Sequence, residues 1–578
     1  MQNSHRRIAI VVSLALGLLS VPYLALSFSP SQSLQVLAIN AGLYYGQTPT
    51  PVTPSPTPVT PSPTPVTPTP VTTRVADLGF QPTGRYQFPN WGSDGQNSND
   101  FTVADLRAMF GDSNVCRTGS TATVCRVNRL ARRWLNNVTN LTQIGHSDGF
   151  TTTALRFFKG LDTLGTFQTG TVTTTNDLRF TTARVRSNIT KYWVLQLPFE
   201  VASARATALK NTPSVVVDQV IAAANSTTIS PTTLLVYNAD RTSGHSLLPY
   251  AVDKTGDLFK IFVYDSNWPT DSTRFVEVNK ALNTWSYDLG NGRLWTGTAT
   301  SQSLGAVSIS AYALPPTAPW NTTATHFLVH HEGRGHVLVT KFGTTERIGY
   351  DTKVFTNTLA NAFAAPIAGG IDAYQEPEYY VPTGNKYTHH LTGDAQSQGL
   401  AQTSGAGLSQ IGPNFAVGVS NLSLNATSDD TLDVSPDGTQ VAYTANQTRS
   451  VDLSLSYNGT STSSEIQVNG FDVGTGKLFT ATAQTVSNTV KLTSTSTITG
   501  SYNLVVTVVT ATGEVTFQNN NISFTPGSIQ TLDFTGLANG GLTVTLGIDT
   551  NGDGIIDSTV NLPNQAPGTH TYFPLVRR

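Results

Sequence analysis

The chain has 578 residues, of which only 12% are charged, with a formal net charge of −2. That length is too great for one hydrophobic core and fits three to five domains. Near-neutral charge without a basic aromatic stripe gives no reason to expect a nucleic-acid partner. Many Gly, Thr, Ser and Asn residues suit an exported, β-rich surface protein, and no cofactor-type motif points to redox, phosphoryl-transfer or nucleotide chemistry.

Arg6-Arg7 precede an apolar run from Ile8 to Leu26. Residues 1–30 therefore read as an export segment, either a cleaved signal peptide or an anchor just long enough to span a bilayer. Residues 47–73 repeat Thr-Pro-Val-Thr-Pro-Ser-Pro. Proline at that density predicts an extended polyproline II spacer, carrying the folded region outward from a cell surface. Cys116 and Cys125 are the only cysteines, and a close, even pair in an exported chain predicts a local disulfide.

Helical periodicity covers Thr102–Phe110 and Val127–Leu135. Next comes Gln143-Ile-Gly-His-Ser147-Asp-Gly149, leading into a third helix with Ala154, Leu155 and Phe158 buried and Gly160 as its stop. Ser147 or Asp148 would cap it. A nucleophile there would lie among unpaired backbone N–H groups able to stabilise a developing oxyanion. Ala202–Leu209 and Ser214–Ala224 read as further helices, and Thr232–Tyr237 as a strand.

His245–Val252 and Leu258–Tyr264 read as a hairpin with a turn over Asp253–Asp257. Folding it about Thr255 sets His245 opposite Asp265, near enough for the carboxylate to orient the imidazole. The segments around Gln143 and Ser147, around Gly244-His245 and around Asp265-Ser-Asn267 together resemble the papain-like cysteine peptidases. The C39-like secreted bacterial group is the nearest in pattern, over roughly 125–290. The resemblance implies an α+β papain-like module, with Ser147 at the nucleophile position, His245 as base, Asp265 as its orienting group and Gln143 as oxyanion-hole glutamine. The chain departs from the family in carrying Ser where the family carries Cys. A thiol near pKa 8.5 readily forms a thiolate beside histidine, whereas a serine hydroxyl needs proton removal during attack. The expected module is accordingly catalytically degenerate, serving binding, adhesion or envelope structure. The alternative is an active serine-type hydrolase working through an acyl-enzyme.

The module is expected over 77–315. A β-sandwich accessory domain is expected over 318–395 and one or two sandwiches over 413–578, where apolar and polar residues alternate. His326, His330, His331 and His336 invite a zinc reading, but adjacent His330-His331 point to opposite faces of a strand, so an accessory β domain is preferred. Residues 401–578 hold twelve Asp or Glu against five Lys or Arg, an acidic excess of seven. Asp549-Thr-Asn551-Gly-Asp553-Gly-Ile555-Ile-Asp557 lies within it. Side-chain oxygens of Asp549, Asn551, Asp553 and Asp557 with the Ile555 carbonyl suit a structural Ca²⁺, although Val560 replaces the twelfth-position glutamate of an EF-hand. The whole reads as a multidomain protein, an α+β papain-like module followed by all-β sandwich domains, outside the cell or on its surface. Peptide, glycan, cell-wall or self-association partners are expected, and no nucleic acid.

Overall fold

The computed structural model describes residues 70–92, 100–117, 119, 124–290, 292–313, 315–333, 335–351, 354–371, 374–393 and 405–565. Two units divide the chain at 68/69, and everything below concerns the second. The expected export segment and nearly all of the Pro/Thr spacer lie outside the described residues.

After an opening strand come seven α-helices: α1 (Val103–Phe110), α2 (Asp112–Val115), α3 (Arg129–Leu141), α4 (Ser147–Phe158), α5 (Ala183–Val194), α6 (Phe199–Ala208) and α7 (Pro213–Ala224). Thr102 and Asp105 form a reciprocal capping box on α1, and the Asn128 side chain caps α3 through the Ala131 N–H. Cys116 and Cys125 form the expected disulfide, with Cα atoms 5.1 Å apart. Helix α5 went unread in the sequence, although Val185, Ile189 and Trp193 recur at helical spacing and are fully buried. It packs against α4 so closely that a Cβ at Gly149 would lie 2.1 Å from the Ile189 carbonyl oxygen.

An antiparallel eight-stranded sheet joins the opening strand, β1 (Thr72–Asp77), to seven strands that follow the helices: β2 (Thr232–Tyr237), β3 (Gly244–Thr255), β4 (Leu258–Tyr264), β5 (Phe275–Asn279), β6 (Thr284–Gly290), β7 (Arg293–Gly297) and β8 (Leu304–Ser308). The long β3 organises it. Leu247 and the residues before it pair with β2, and Ala251 onward pair with β1. The register of β3 on β4 shifts between Pro249 and Ala251, where a proline lacking an N–H is tolerated.

The hairpin turn differs from the sequence expectation. Thr255 pairs with Leu258, leaving Gly256-Asp257 as a two-residue turn with Gly256 at φ +60°, the backbone region that glycine adopts most readily. The fold-back point thus moves toward the C-terminus, and His245 and Asp265 are not directly opposite residues of the ladder.

From His326 to Pro563 the chain builds two antiparallel sheets, one of eleven strands and one of nine, which share a core running from Phe327 to Leu562. The architecture is therefore an α/β region followed by extensive β-sandwich structure. The expected break between 395 and 413 does not interrupt it. Ala406–Gly412, read as part of a polar connection, is a fully buried strand between His326–Glu332 and Phe415–Leu422. Small residues there let neighbouring backbones approach, which a hydropathy reading takes for a loop. Helix α3 lies on the nine-stranded sheet. There Arg129 Nε donates to Glu465 at 2.8 Å, and Asn137 donates to Ser409 Oγ at 2.8 Å.

Candidate functional site

The site forms where the start of α4 meets the start of β3. His245 is the second residue of β3 and Asp265 the first residue beyond β4. His245 Nε2 lies 2.7 Å from Asp265 Oδ1, and both side chains are fully buried. The second carboxylate oxygen of Asp265 accepts from the Tyr287 hydroxyl, and Oδ1 also accepts from the Asn267 N–H at 2.7 Å. Burial alone would raise the Asp265 pKa, but His245, Tyr287 and the Asn267 N–H together hold it below its ordinary value. The carboxylate is thus fixed and ionised. With Nε2 directed at the carboxylate, the other ring nitrogen, Nδ1, has no hydrogen-bond partner.

Ser147 is the first residue of α4 and fully buried. Its hydroxyl oxygen accepts from the Ser246 backbone N–H at 3.1 Å, so the residue beside His245 in sequence holds it. Neither Ser147 nor Asp148 caps the helix. The N-cap is His146, without a side-chain cap bond, and the Ser147 N–H donates instead to the Gly369 carbonyl at 3.1 Å. That carbonyl accepts a second hydrogen bond, from Asn90 Nδ2 at 2.9 Å. A backbone N–H at a helix start and a side-chain amide therefore converge on one carbonyl oxygen, the arrangement an oxyanion hole requires.

The amide in that place belongs to Asn90. Gln143 sits in the 3-10 turn Thr142–Ile144 and lines an adjoining groove of about 690 Å³ with Asn267, Trp268 and Tyr374. Reading the glutamine by its nearness to Ser147 in sequence missed a donor supplied from 57 residues upstream. Pro89-Asn90-Trp91-Gly92 carried a faint signal, an amide inside an aromatic Gly turn. Asn90 Oδ1 also accepts from the His146 N–H at 2.7 Å, which fixes the amide orientation. The close approach of Gly369 depends on Gly145, where a Cβ would fall 2.5 Å from the Gly369 oxygen and φ is +106°.

Two neighbours have other roles. Asp148 is paired with Arg205 at 2.9 Å, both fully buried, and accepts from the Tyr312 hydroxyl. It anchors α4 to α6. His146 stacks on Trp91 with ring centroids 4.3 Å apart, and its Nδ1 bonds to the Trp91 carbonyl. Burial lowers its pKa to about 4, so it is neutral.

Comparison with family models, curated proteins and solved structures gives one result. No match is found. Chemistry at this site therefore has to be argued from its own geometry.

Three of the four histidines His326, His330, His331 and His336 are engaged with protein oxygens. His330 Nδ1 lies 2.7 Å from Glu378, and His336 Nδ1 lies 2.7 Å from Glu376. His326 bridges Thr325 and the Asn361 carbonyl. His331 is buried without a ring partner, and burial, with His330 and His336 nearby, lowers its pKa to about 3.

In the acidic loop both oxygens of Asp549 accept backbone N–H groups, from Gly552 and Gly554. Asn551 Oδ1 accepts from the Asp553 N–H, Asp553 Oδ1 from the Ile555 N–H, and Asp557 from Thr550. Among the described residues no three His, Cys, Asp or Glu side chains converge as a metal set would. The Asp557 oxygen accepts from both the N–H and the hydroxyl of Thr550, whereas the named oxygens of Asp549, Asn551 and Asp553 each retain a second lone pair, so their donor chemistry still suits a hard cation.

Proposed function

We propose that this is an exported surface protein whose papain-like module is a catalytically degenerate peptidase, retained for binding or envelope architecture. The observation carrying this reading is the partnering of the Ser147 hydroxyl. A nucleophilic serine must hand its proton to a base, and here the hydroxyl oxygen accepts from the Ser246 N–H while no hydrogen bond joins it to His245 Nδ1, which is unpartnered. Residues 1–30 would direct export, and the Pro/Thr spacer would hold the folded region away from the envelope. Asp549, Asn551, Asp553, Asp557 and the Ile555 carbonyl would bind Ca²⁺ and stiffen the end of the sandwich, with no part in chemistry.

The fixed His245–Asp265 pair supports a second reading, a serine-type hydrolase. In it His245 takes the Ser147 proton, and the Ser147 N–H with the Asn90 amide stabilises the tetrahedral intermediate. A fluorophosphonate probe separates the two. Our reading expects no labelling of the wild-type chain beyond that of Ser147→Ala. Stoichiometric adduct on Ser147, absent from the variant, would establish the hydrolase instead.

A further inference from the structure

The carbonyl held between Ser147 and Asn90 belongs to the chain itself. It lies in Pro366-Ile-Ala-Gly-Gly-Ile371, which leaves the short strand Phe363–Ala365 of the nine-stranded sheet and crosses the mouth of the site. Residue by residue, this strap is bound through its main chain. The Pro366 carbonyl accepts from the Tyr237 hydroxyl at 2.8 Å, and the Ala368 carbonyl accepts from Trp193 Nε1 at 2.8 Å. The Ala368 N–H donates to Gln196 Oε1 at 2.8 Å, and the Gly370 carbonyl accepts from Ser243 Oγ at 3.2 Å. Gly370 also pairs antiparallel with Gly244, immediately before His245. Ile367 and Ala368 are buried in the same cluster as Trp193 and Phe150.

This is how a groove binds an extended peptide, with affinity from main-chain hydrogen bonds and selection by the space left for side chains. The space is narrow: a Cβ on Gly369 would lie 2.5 Å from Ile144 Cγ1 and 2.9 Å from the Ile144 carbonyl oxygen, and one on Gly370 would lie 2.9 Å from that oxygen. Beyond Gly370 the cleft opens into the 690 Å³ groove beside Trp268.

We infer that Pro366–Ile371 is a tethered occupant of a peptide-binding cleft, so that the β-sandwich keeps the cleft closed in cis and another extended peptide enters only when the strap leaves. The inference rests on the peptidase-like reading of the cleft and adds its ligand class and its regulation. Tethering makes the occupant hard to displace, because its effective concentration follows from a short connection to both flanking strands.

The experiment uses the full chain with Gly369→Val/Gly370→Val, and as a milder variant Gly369→Ala. Hydrogen exchange is read at the Ser147 amide, which donates to the strap. In the double variant exchange at Ser147 should rise about tenfold or more, while strands Arg449–Asn458 and Gly500–Val509 keep their protection. Added acetyl-Pro-Ile-Ala-Gly-Gly-Ile-amide should then restore protection in the variant and leave the wild type unchanged. If the double variant loses protection in those distant strands as well, Gly369→Ala with the same peptide decides. Unchanged Ser147 exchange in a folded variant, or faster exchange that the peptide does not reverse, overturns the inference and leaves the degenerate-peptidase reading intact. Fluorophosphonate labelling of Ser147 in the released variant does the opposite, removing degeneracy while leaving the strap.

Discussion

At Ser147 the hydroxyl, the amide N–H and the neighbouring residues each take a different partner, and the site's character follows from that division. The hydroxyl goes to Ser246, the N–H to Gly369, and Asp148 to Arg205. Helical spacing and the start of a helix were readable for these residues, because they depend on neighbours in sequence. Their partners were not, since each comes from a segment far along the chain. His146 shows the same limit. It is buried against Trp91 with its Nε2 unpartnered. Its pKa, lowered to about 4 by burial, has a measurable consequence. Below the ordinary histidine range the unfolded chain takes up a proton at this residue and the folded chain does not, so stability falls as pH drops from about 6.5 to about 4. The contribution is full above pH 6.5 and is lost through that window at about 1.4 kcal/mol per pH unit. Urea unfolding of wild type and His146→Gln across pH 4–7 should show a shallower acid slope in the variant, by about one proton. Parallel slopes would mean that His146 protonates freely in the folded protein.

Elements made mostly of strong local signals were legible: α1, α3, α7, the β3–β4 hairpin and the alternating strands after Phe415. Those relying on tertiary packing were not. Helix α5 is interrupted by Arg, Ser, Asn and Lys on its outer face, and strand Ala406–Gly412 is too poor in large side chains to stand out. The β3–β4 register was misjudged because five turn-forming residues offered several tight turns, and only pairing with β2 and β1 selects Gly256-Asp257. The Asp549–Asp557 loop is the reverse case, a motif read from spacing alone. Its backbone-directed carboxylates make a preformed turn, and a bound Ca²⁺ would add stability by mass action. Melting of the full chain should drop by a few degrees in EDTA and recover with Ca²⁺. Asp549→Ala/Asp553→Ala should melt lower and ignore both additions. A wild-type melting curve indifferent to EDTA would remove the metal from the account.

Across the whole molecule, the helical region and the sandwich are not beads on a string. Leu328, Ala365, Ile367, Ala368, Tyr380, Ile411 and Ala416 from the sandwich belong to the same buried cluster as Trp134, Phe150 and Trp193. Arg129 and Glu465 join the two regions again at α3. The sequence divides these regions between 315 and 318 because composition marks a boundary, while shared burial leaves no mark on composition. The strap is one product of that shared core, and it places the cleft under the control of the sandwich. We propose that His245 and Asp265 are the surviving half of a thiol-type site whose nucleophile has changed to serine. Introducing a thiol by Ser147→Cys in the Gly369→Val/Gly370→Val background tests this most directly, through the pH dependence of alkylation by iodoacetamide. The account predicts an apparent thiol pKa well below its ordinary value of about 8.5, returning toward it on adding His245→Ala. A pKa at or above 8.5 that His245→Ala does not change would contradict it.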